Sequence, residues 1–328
     1  MAQAGLIEPE SPLRAACLAP DLRAMAAAEP PAVPMLPLTK DLGIPAIGYG
    51  VGTAWFKAAG TEREAALQAS VVAALDAGFR HLDEAEMYQN EGATGKAVGE
   101  WLARTGTPRE QLFITSKVIN VDDPGVEAVC RRSLEAMGLT YFDLYLVHAP
   151  FMTDGTPFKK SLQDIWREAE GLVDAGLAKA IGVSNWRISD LEQVCEGTRV
   201  KPVCNQLEAH PYLQQPKLLS WCKAHGILVT AYSPLGSIVQ ENLRGGPVDA
   251  VVAKVVERSG KTPGQVLLRW NLQTGRGVLT TTSKPERLLE FLSIFDFELT
   301  AEEVAEISAA GSARQQRVFW KTMPADEP

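Results

Sequence analysis

The stretch GFRHLDEAEMYQNE, residues 78–91, contains one complete unit of the repeat from which the chain is built. Gly78 closes the amphipathic pattern before it, and the short run from Phe79 to Leu82 alternates as a buried strand does. A new helical pattern starts at Asn90 and Glu91. Asp83 therefore falls where the strand leaves the core, and Tyr88 stands five residues further on, in the loop. One strand exit presents an acid and a phenol together. Either residue alone is most often a packing or hydrogen-bonding group, so their significance depends on what the rest of the chain brings to the same place.

The same beat of apolar run, loop and helical pattern extends in both directions. Residues 35–47 read as a small hairpin turning at Lys40 and Asp41, and 47–50 as a first barrel strand. Further strands are predicted at 79–83, 112–118, 143–149, 179–184, 202–208, 227–233 and 277–282. Helices are predicted at 62–77, 91–104, 124–137, 161–176, 188–196, 216–225, across 248–274 and at 285–293. Thr61 with Glu64 resembles a capping box, while Gly78, Gly138, Gly176 and Gly226 stop helices just before strands. Pro124 and Pro263 sit near helix starts. Eight apolar strands separated by eight helical segments predict a parallel sheet covered on both sides and closed on itself. The fold class is α/β, a (β/α)8 TIM barrel with a short N-terminal hairpin and a C-terminal substrate loop. An open doubly wound sheet would want a GxGxxG turn after its first strand. GYGVGTAW at 48–55 lacks the third glycine, and no phosphate-binding GxxxxGK[ST] occurs.

Composition bounds the function classes. Of 328 residues, 46% are hydrophobic and 22% charged, enough for a large core, and no apolar run approaches the ~18 residues a membrane helix needs. The net charge is -8 with no basic patch, which argues against nucleic acid as a partner. The five cysteines, Cys17, Cys130, Cys195, Cys204 and Cys222, are scattered and odd in number, and suit reduced thiols in the cytoplasm. The four histidines show no ligand spacing, so no metal is expected, and His210 reads as structural. Residues 1–33, rich in Ala and Pro, read as a disordered leader; they have no basic region followed by an apolar one, and Glu8, Glu10, Asp21 and Glu29 are unexpected in a transit peptide, so a targeting role is the minor alternative, and 34–328 read as a single barrel domain.

In such a barrel the active site lies at the carboxyl ends of the strands. There the sequence places Asp83 with Tyr88, then Lys117, His148, Ser184 with Asn185, Gln206, and Tyr232 with Ser233. Singly, each has an ordinary explanation: a solvated lysine, a satisfied core histidine, or an asparagine capping the next helix. A Lys, a Tyr, an Asp and a His on adjacent strand ends form a constellation instead. A lysine beside a tyrosine lowers its pKa toward a useful proton donor, an aspartate holds the lysine charged and oriented, and a histidine can donate to a bound carbonyl oxygen. The site supplies a proton and a polarised C=O but no electrons, so reduction calls for a hydride carrier.

GFRHLDEAEMYQNE, LFITSKV, LVHAP, IGVSN, NQLEAHPYL and AYSPLG, in this order, strongly resemble the aldo-keto reductases, (β/α)8 barrels that use NAD(P)H, over roughly 34–320. The resemblance implies reversible reduction of aldehydes or ketones with Asp83, Tyr88, Lys117 and His148 as catalytic tetrad and Tyr88 as general acid. It implies Ser184, Asn185 and Gln206 at the nicotinamide carboxamide and Tyr232 stacked on the nicotinamide ring. The pyrophosphate and adenosine end would follow from SPLGS, with Ser233, Leu235 and Ser237, and from TTTSKPER, with Thr282, Ser283, Lys284 and Arg287. Many members open that last segment with a Lys-Ser pair toward the 2'-phosphate of NADP. Here Thr281 and Thr282 stand in its place while Lys284 and Arg287 remain, so NADPH is the expected cofactor and NADH is open. Phe291 replaces an Asn that many members direct toward adenine.

The substrate pocket departs from the family pattern: Ala149 stands where many relatives carry Trp, and Ile119 with Asn120 replaces another aromatic position. Trp55, His148 and Ala149 are expected to line it, with Phe56, Phe319 and Trp320 as further aromatic walls and the loop 236–247 closing over the cofactor. A monomer acting on a small carbonyl or alcohol is expected. The rival reading is a nucleotide-binding regulatory subunit of the same fold with little turnover.

Overall fold

The computed structural model describes residues 32–321 and Met323. The leader read at 1–33 lies outside the described residues, except for its last two positions. A hairpin, β1 (Met35–Pro37) and β2 (Gly43–Pro45), precedes eight strands: β3 (Ile47–Gly50), β4 (His81–Asp83), β5 (Phe113–Val118), β6 (Phe142–Val147), β7 (Ala178–Ser184), β8 (Cys204–Glu208), β9 (Leu228–Tyr232) and β10 (Arg276–Thr280). These eight form a closed barrel in chain order, with β10 pairing parallel to β3. Helices between them cover the outside, and every residue of β5, β6 and β8 is buried, so the polar side chains on them, Lys117, Gln206 and Glu208 among them, must find their partners inside the protein.

The hairpin turns where its sequence predicts, with the Thr39 hydroxyl accepting from the backbone N–H of Asp41 and Leu42. Its Leu38 and Ile44 pack in one cluster with Phe113 and Cys204, the first residues of β5 and β8, and with Leu144, Leu146 and Ala180 further along β6 and β7, so the hairpin plugs the amino end of the barrel and leaves the carboxyl end open. Gly78 and Gly138 end their helices in the left-handed conformation, at φ 115 and 65°.

Three readings need correction. The first helix runs Glu64–Ala77 without a capping box, because the Thr61 hydroxyl donates to Ala58 O and the Glu64 carboxylate accepts instead from Gly60 N. The region 248–274 is two helices, Pro247–Ser259 and Pro263–Gln273. Thr262 and Gln265 form a capping box there, and Pro263 supplies a first helical position that needs no N–H. A further helix, Ala301–Ser312, was not anticipated, although Thr300 and Glu303 form its capping box. It joins the two preceding helices around Val252, Val255, Trp270, Leu299 and Ile307 in a second apolar cluster.

Candidate active site

Asp83 is the last residue of β4 and Lys117 the penultimate residue of β5, so the parallel register sets their side chains side by side at the carboxyl rim. Lys117 Nζ lies 2.7 Å from Asp83 Oδ1, 2.8 Å from the Glu84 carbonyl oxygen and 3.1 Å from the Tyr88 hydroxyl. Those three contacts use all three ammonium hydrogens, as a fully buried lysine requires. The 3-10 turn Glu86–Tyr88 delivers the phenol back over the barrel mouth. His148, one residue beyond β6, packs its ring edge-on to that of Tyr88 with centroids 5.7 Å apart. Gln206 Nε2 donates to the second Asp83 oxygen at 2.8 Å. The four tetrad candidates are thus brought together, and Gln206 joins them.

Burial dominates the electrostatics. It pushes Tyr88 up to about 12, against the downward pull of Lys117. The expected net lowering by the lysine is therefore reversed, because desolvation of a phenolate outweighs one nearby cation. Tyr88 is a phenol at neutral pH, with its proton available to give. Burial also acts to lower Lys117, but Asp83 and Tyr88 outweigh it and the ammonium is held above its usual range. His148 is driven well below the usual imidazole range by burial and then by Lys117, so its ring is neutral.

A cleft of about 410 Å³ runs from Asp83, Tyr88 and Tyr232 past Ser233 and Leu235 to Thr280 and Thr281. Gly52 forms its wall, where a Cβ would lie 2.7 Å from the Tyr88 ring. At the inner end the Tyr232 hydroxyl donates to Asn185 Oδ1, and Asn185 Nδ2 donates to the His148 carbonyl and to Ser184 Oγ. Asn185 therefore caps no helix; it ties three rim strands together. Thr281 Oγ1, in the lining, and Ser237 Oγ, next to the lining residue Gly236, are buried hydrogen-bonding atoms without partners among the described residues, which suits a cleft built for a polar ligand. Thr282 is buried, its hydroxyl bonded to Lys284 N, whereas Ser283, Lys284 and Arg287 are exposed at the start of the helix Pro285–Leu292. Phe291 is buried in that helix as a core residue.

The profile of the Aldo/keto reductase family matches residues 46–312, which hold this entire rim. The chain belongs to the aldo-keto reductase family. An aldo-keto reductase of Mycolicibacterium vanbaalenii is 39% identical over 279 residues, 84% of this chain and 91% of the relative. The NAD/NADP-dependent indole-3-acetaldehyde reductase of Schizosaccharomyces pombe is 37% identical, over 85% of this chain and 96% of its own. The crystal structure of a Bombyx mori aldo-keto reductase in complex with NADP superposes with a TM-score of 0.78 at 32% identity, covering 84% of this chain and 92% of that one.

A second cavity of this aldo-keto reductase, about 670 Å³, opens beside the tetrad between Phe56, Met87, Tyr88, His148, Phe319 and Trp320. Trp55 and Ala149, expected in this lining, are not part of it. Trp55 is turned into the core, with Nε1 3.3 Å from the Tyr49 hydroxyl, and Ala149 is fully buried. Burying an indole removes roughly 200 Å² from water, on the order of 5 kcal/mol in transfer terms, so the core claims Trp55 and leaves the pocket to its neighbour Phe56. Met87, Thr153 and Gln240 line the cavity without having been anticipated.

Two acidic residues of the opening stretch do more than sequence reading assigned. Glu91 accepts from the hydroxyls of Ser116 and Ser133 as well as starting its helix. Glu84 is fully buried behind the tetrad, with one carboxyl oxygen accepting from Ala85 N and the other unpartnered among the described residues. Burial, helped by the Glu91 charge, pushes Glu84 up to about 8. A folded-state value above the ordinary 4.5 means that folding favours the protonated acid. Its contribution is fully present below the unfolded value and lost as pH rises toward 8. Glu84→Gln is therefore expected to raise stability at pH 8 relative to its effect near pH 4.5, by up to about 1.4 kcal/mol for each unit by which burial lifts the acid, and to change little near pH 4.5. Thermal unfolding of both proteins across that range checks this, and a pH-independent difference would contradict the burial argument.

Proposed function

We propose that this aldo-keto reductase reduces aldehydes or ketones to alcohols, reversibly, with NADPH as preferred cofactor. The observation that carries the reading is the complete use of the Lys117 hydrogens. With all three directed to Asp83, Glu84 O and Tyr88, the Tyr88 oxygen accepts from the lysine and its own O–H is left to point toward the cavity it shares with His148. When bound, NADPH supplies the hydride for the carbonyl carbon. The chain's own groups do the rest. Neutral His148 and Tyr88 hydrogen-bond and orient the substrate oxygen, and Tyr88 gives it a proton. Lys117, held charged by Asp83, stabilises the phenolate left behind. Tyr88 thus acts as general acid in reduction and as base in the reverse direction. This network is more than a nucleotide-binding regulatory subunit needs.

Ser184, Asn185 and Gln206 are the groups for the nicotinamide carboxamide, and Tyr232 the aromatic face for its ring. Ser233, Leu235, Ser237, Thr282 and Ser283 follow toward the adenosine end. The NADP-bound Bombyx mori structure and the NAD/NADP-dependent Schizosaccharomyces pombe relative support the choice of cofactor. Exposed Lys284 and Arg287 suit charge-assisted bonds to a 2'-phosphate. Replacing both with Ala is expected to raise the Michaelis constant for NADPH about tenfold and to leave that for NADH nearly unchanged. Equal effects on the two cofactors would remove these residues from phosphate recognition. A panel of aldehydes, ketones and sugars assayed with each cofactor tests the reaction class and narrows the substrate. Monomeric assembly and a cytoplasmic site complete the reading, and sedimentation at a mass near 35.5 kDa tests the first.

A further inference from the structure

The wall of the substrate cavity opposite the barrel comes from the end of the chain, a segment with no regular secondary structure to hold it. Phe319 packs edge-on to Tyr232 with centroids 5.9 Å apart, and Trp320 approaches His148 at 5.8 Å and Phe151 at 5.9 Å. No strand or helix fixes these residues, and Trp320 has a left-handed backbone at φ 48°, which L side chains rarely adopt. Something else must hold the segment in place.

Two residues beyond Gln206 on β8, Glu208 is completely buried, and both of its carboxylate oxygens are met by donors. Oε1 accepts from Val318 N at 2.8 Å and Oε2 from Phe319 N at 2.9 Å, while the His210 ring nitrogen lies 3.0 Å from Oε1. The Glu208 carbonyl accepts from Gln215 Nε2 at 2.9 Å, which braces the loop after β8, and Gln316 N donates to Tyr212 O at 2.8 Å, so that loop holds the tail just ahead of the two amides. A buried carboxylate is costly unless its lone pairs are met, and here two of the groups meeting them are backbone amides of the cavity wall. The two costs offset each other: the tail supplies the donors the carboxylate needs, and the carboxylate supplies the only acceptors those amides have among the described residues.

We propose that Glu208 is a positioning residue for substrate selection: a carboxylate on the barrel strand that seats Phe319 and Trp320 over the tetrad and thereby sets which carbonyl compounds the cavity holds tightly. The chemistry favours substrates with a bulky apolar or aromatic group beyond the carbonyl, since that group meets Phe319 and Trp320, while a short aldehyde needs only Tyr88 and His148. Glu208 touches neither tetrad nor substrate, so its influence passes through the two amides. The inference rests on the carbonyl-reductase reading for its kinetic arm alone.

The test compares the full-length protein with Glu208→Ala and Glu208→Gln, and each of these with a chain ending at Arg317. Glu208→Ala is expected to raise the Michaelis constant for an aromatic ketone about tenfold, and that for propanal less than about twofold, with the NADPH dissociation constant unchanged. Glu208→Gln, which keeps one acceptor, falls between. Trypsin is expected to cut after Arg317 faster in Glu208→Ala than in the unaltered chain. In the chain ending at Arg317, the same substitution is expected to have no further effect on the ketone, because the amides it held are gone. Equal losses on both carbonyls, or an undiminished effect in the shortened chain, would overturn the proposal. Should no carbonyl be reduced by the unaltered protein, the reaction reading fails, and the trypsin comparison alone still decides whether Glu208 holds the tail.

Discussion

Tyr88→Phe is expected to lower kcat for carbonyl reduction by about 10³ while the NADPH dissociation constant stays within about threefold. In the proposed mechanism the phenol, placed against both His148 and Lys117, donates the proton, and phenylalanine keeps its ring packing, including the edge-on contact with His148 and the approach of Phe56 at 6.4 Å. Only the hydroxyl is removed, so the loss falls on the chemical step. Steady-state kinetics together with cofactor fluorescence titration separate the two quantities. Retained turnover at the unaltered level would mean that another group donates the proton, and the mechanism would have to be abandoned.

Lys117→Met is expected to strike stability as well as rate. The ammonium is fully buried against Asp83, and its removal leaves a buried carboxylate facing only Gln206, a loss of about 3–5 kcal/mol for a broken buried pair. It also leaves the Tyr88 phenolate uncompensated, so kcat falls by a further factor of about 10² or more. The two effects have different remedies. Adding Asp83→Asn to Lys117→Met removes the orphaned charge, and is expected to recover much of the melting temperature and none of the activity. If the double variant is no more stable than the single one, the pair is not the source of the lost stability. Tyr88→Phe, by contrast, is expected to leave the melting temperature within a few degrees, so the two variants distinguish positioning from proton donation.

Much of the site was legible because a parallel barrel converts chain order into spatial order. Asp83, Lys117, His148 and Ser184 each end a short buried strand or stand beside its end, Gln206 lies two residues before the end of its own, and closure in the order of the sequence sets neighbours in the chain beside one another at the rim. The capping boxes at Thr262 and Thr300 were equally present as T-x-x-Q and T-x-x-E, but a second break inside an apolar region and a helix after the last strand are easily passed over. Thr61 with Glu64 has the same spacing and forms no box, because nearby carbonyl and amide groups compete for both side chains.

By itself the sequence determined the alternation of strands and helices, the number of barrel strands and the residues at their exits, since periodicity, caps and strand-end polarity are properties of neighbouring residues. The tertiary structure alone decided which of those groups touch. Gln206 meets Asp83 across 123 positions and Phe319 meets Glu208 across 111, contacts that no local pattern encodes. It also decided the direction of the Tyr88 pKa, because a lysine partner can be read from the chain but the depth of burial that outweighs it cannot. For the same reason it chose Phe56 over Trp55 for the cavity: both are aromatic and adjacent, and only packing says which one the core takes.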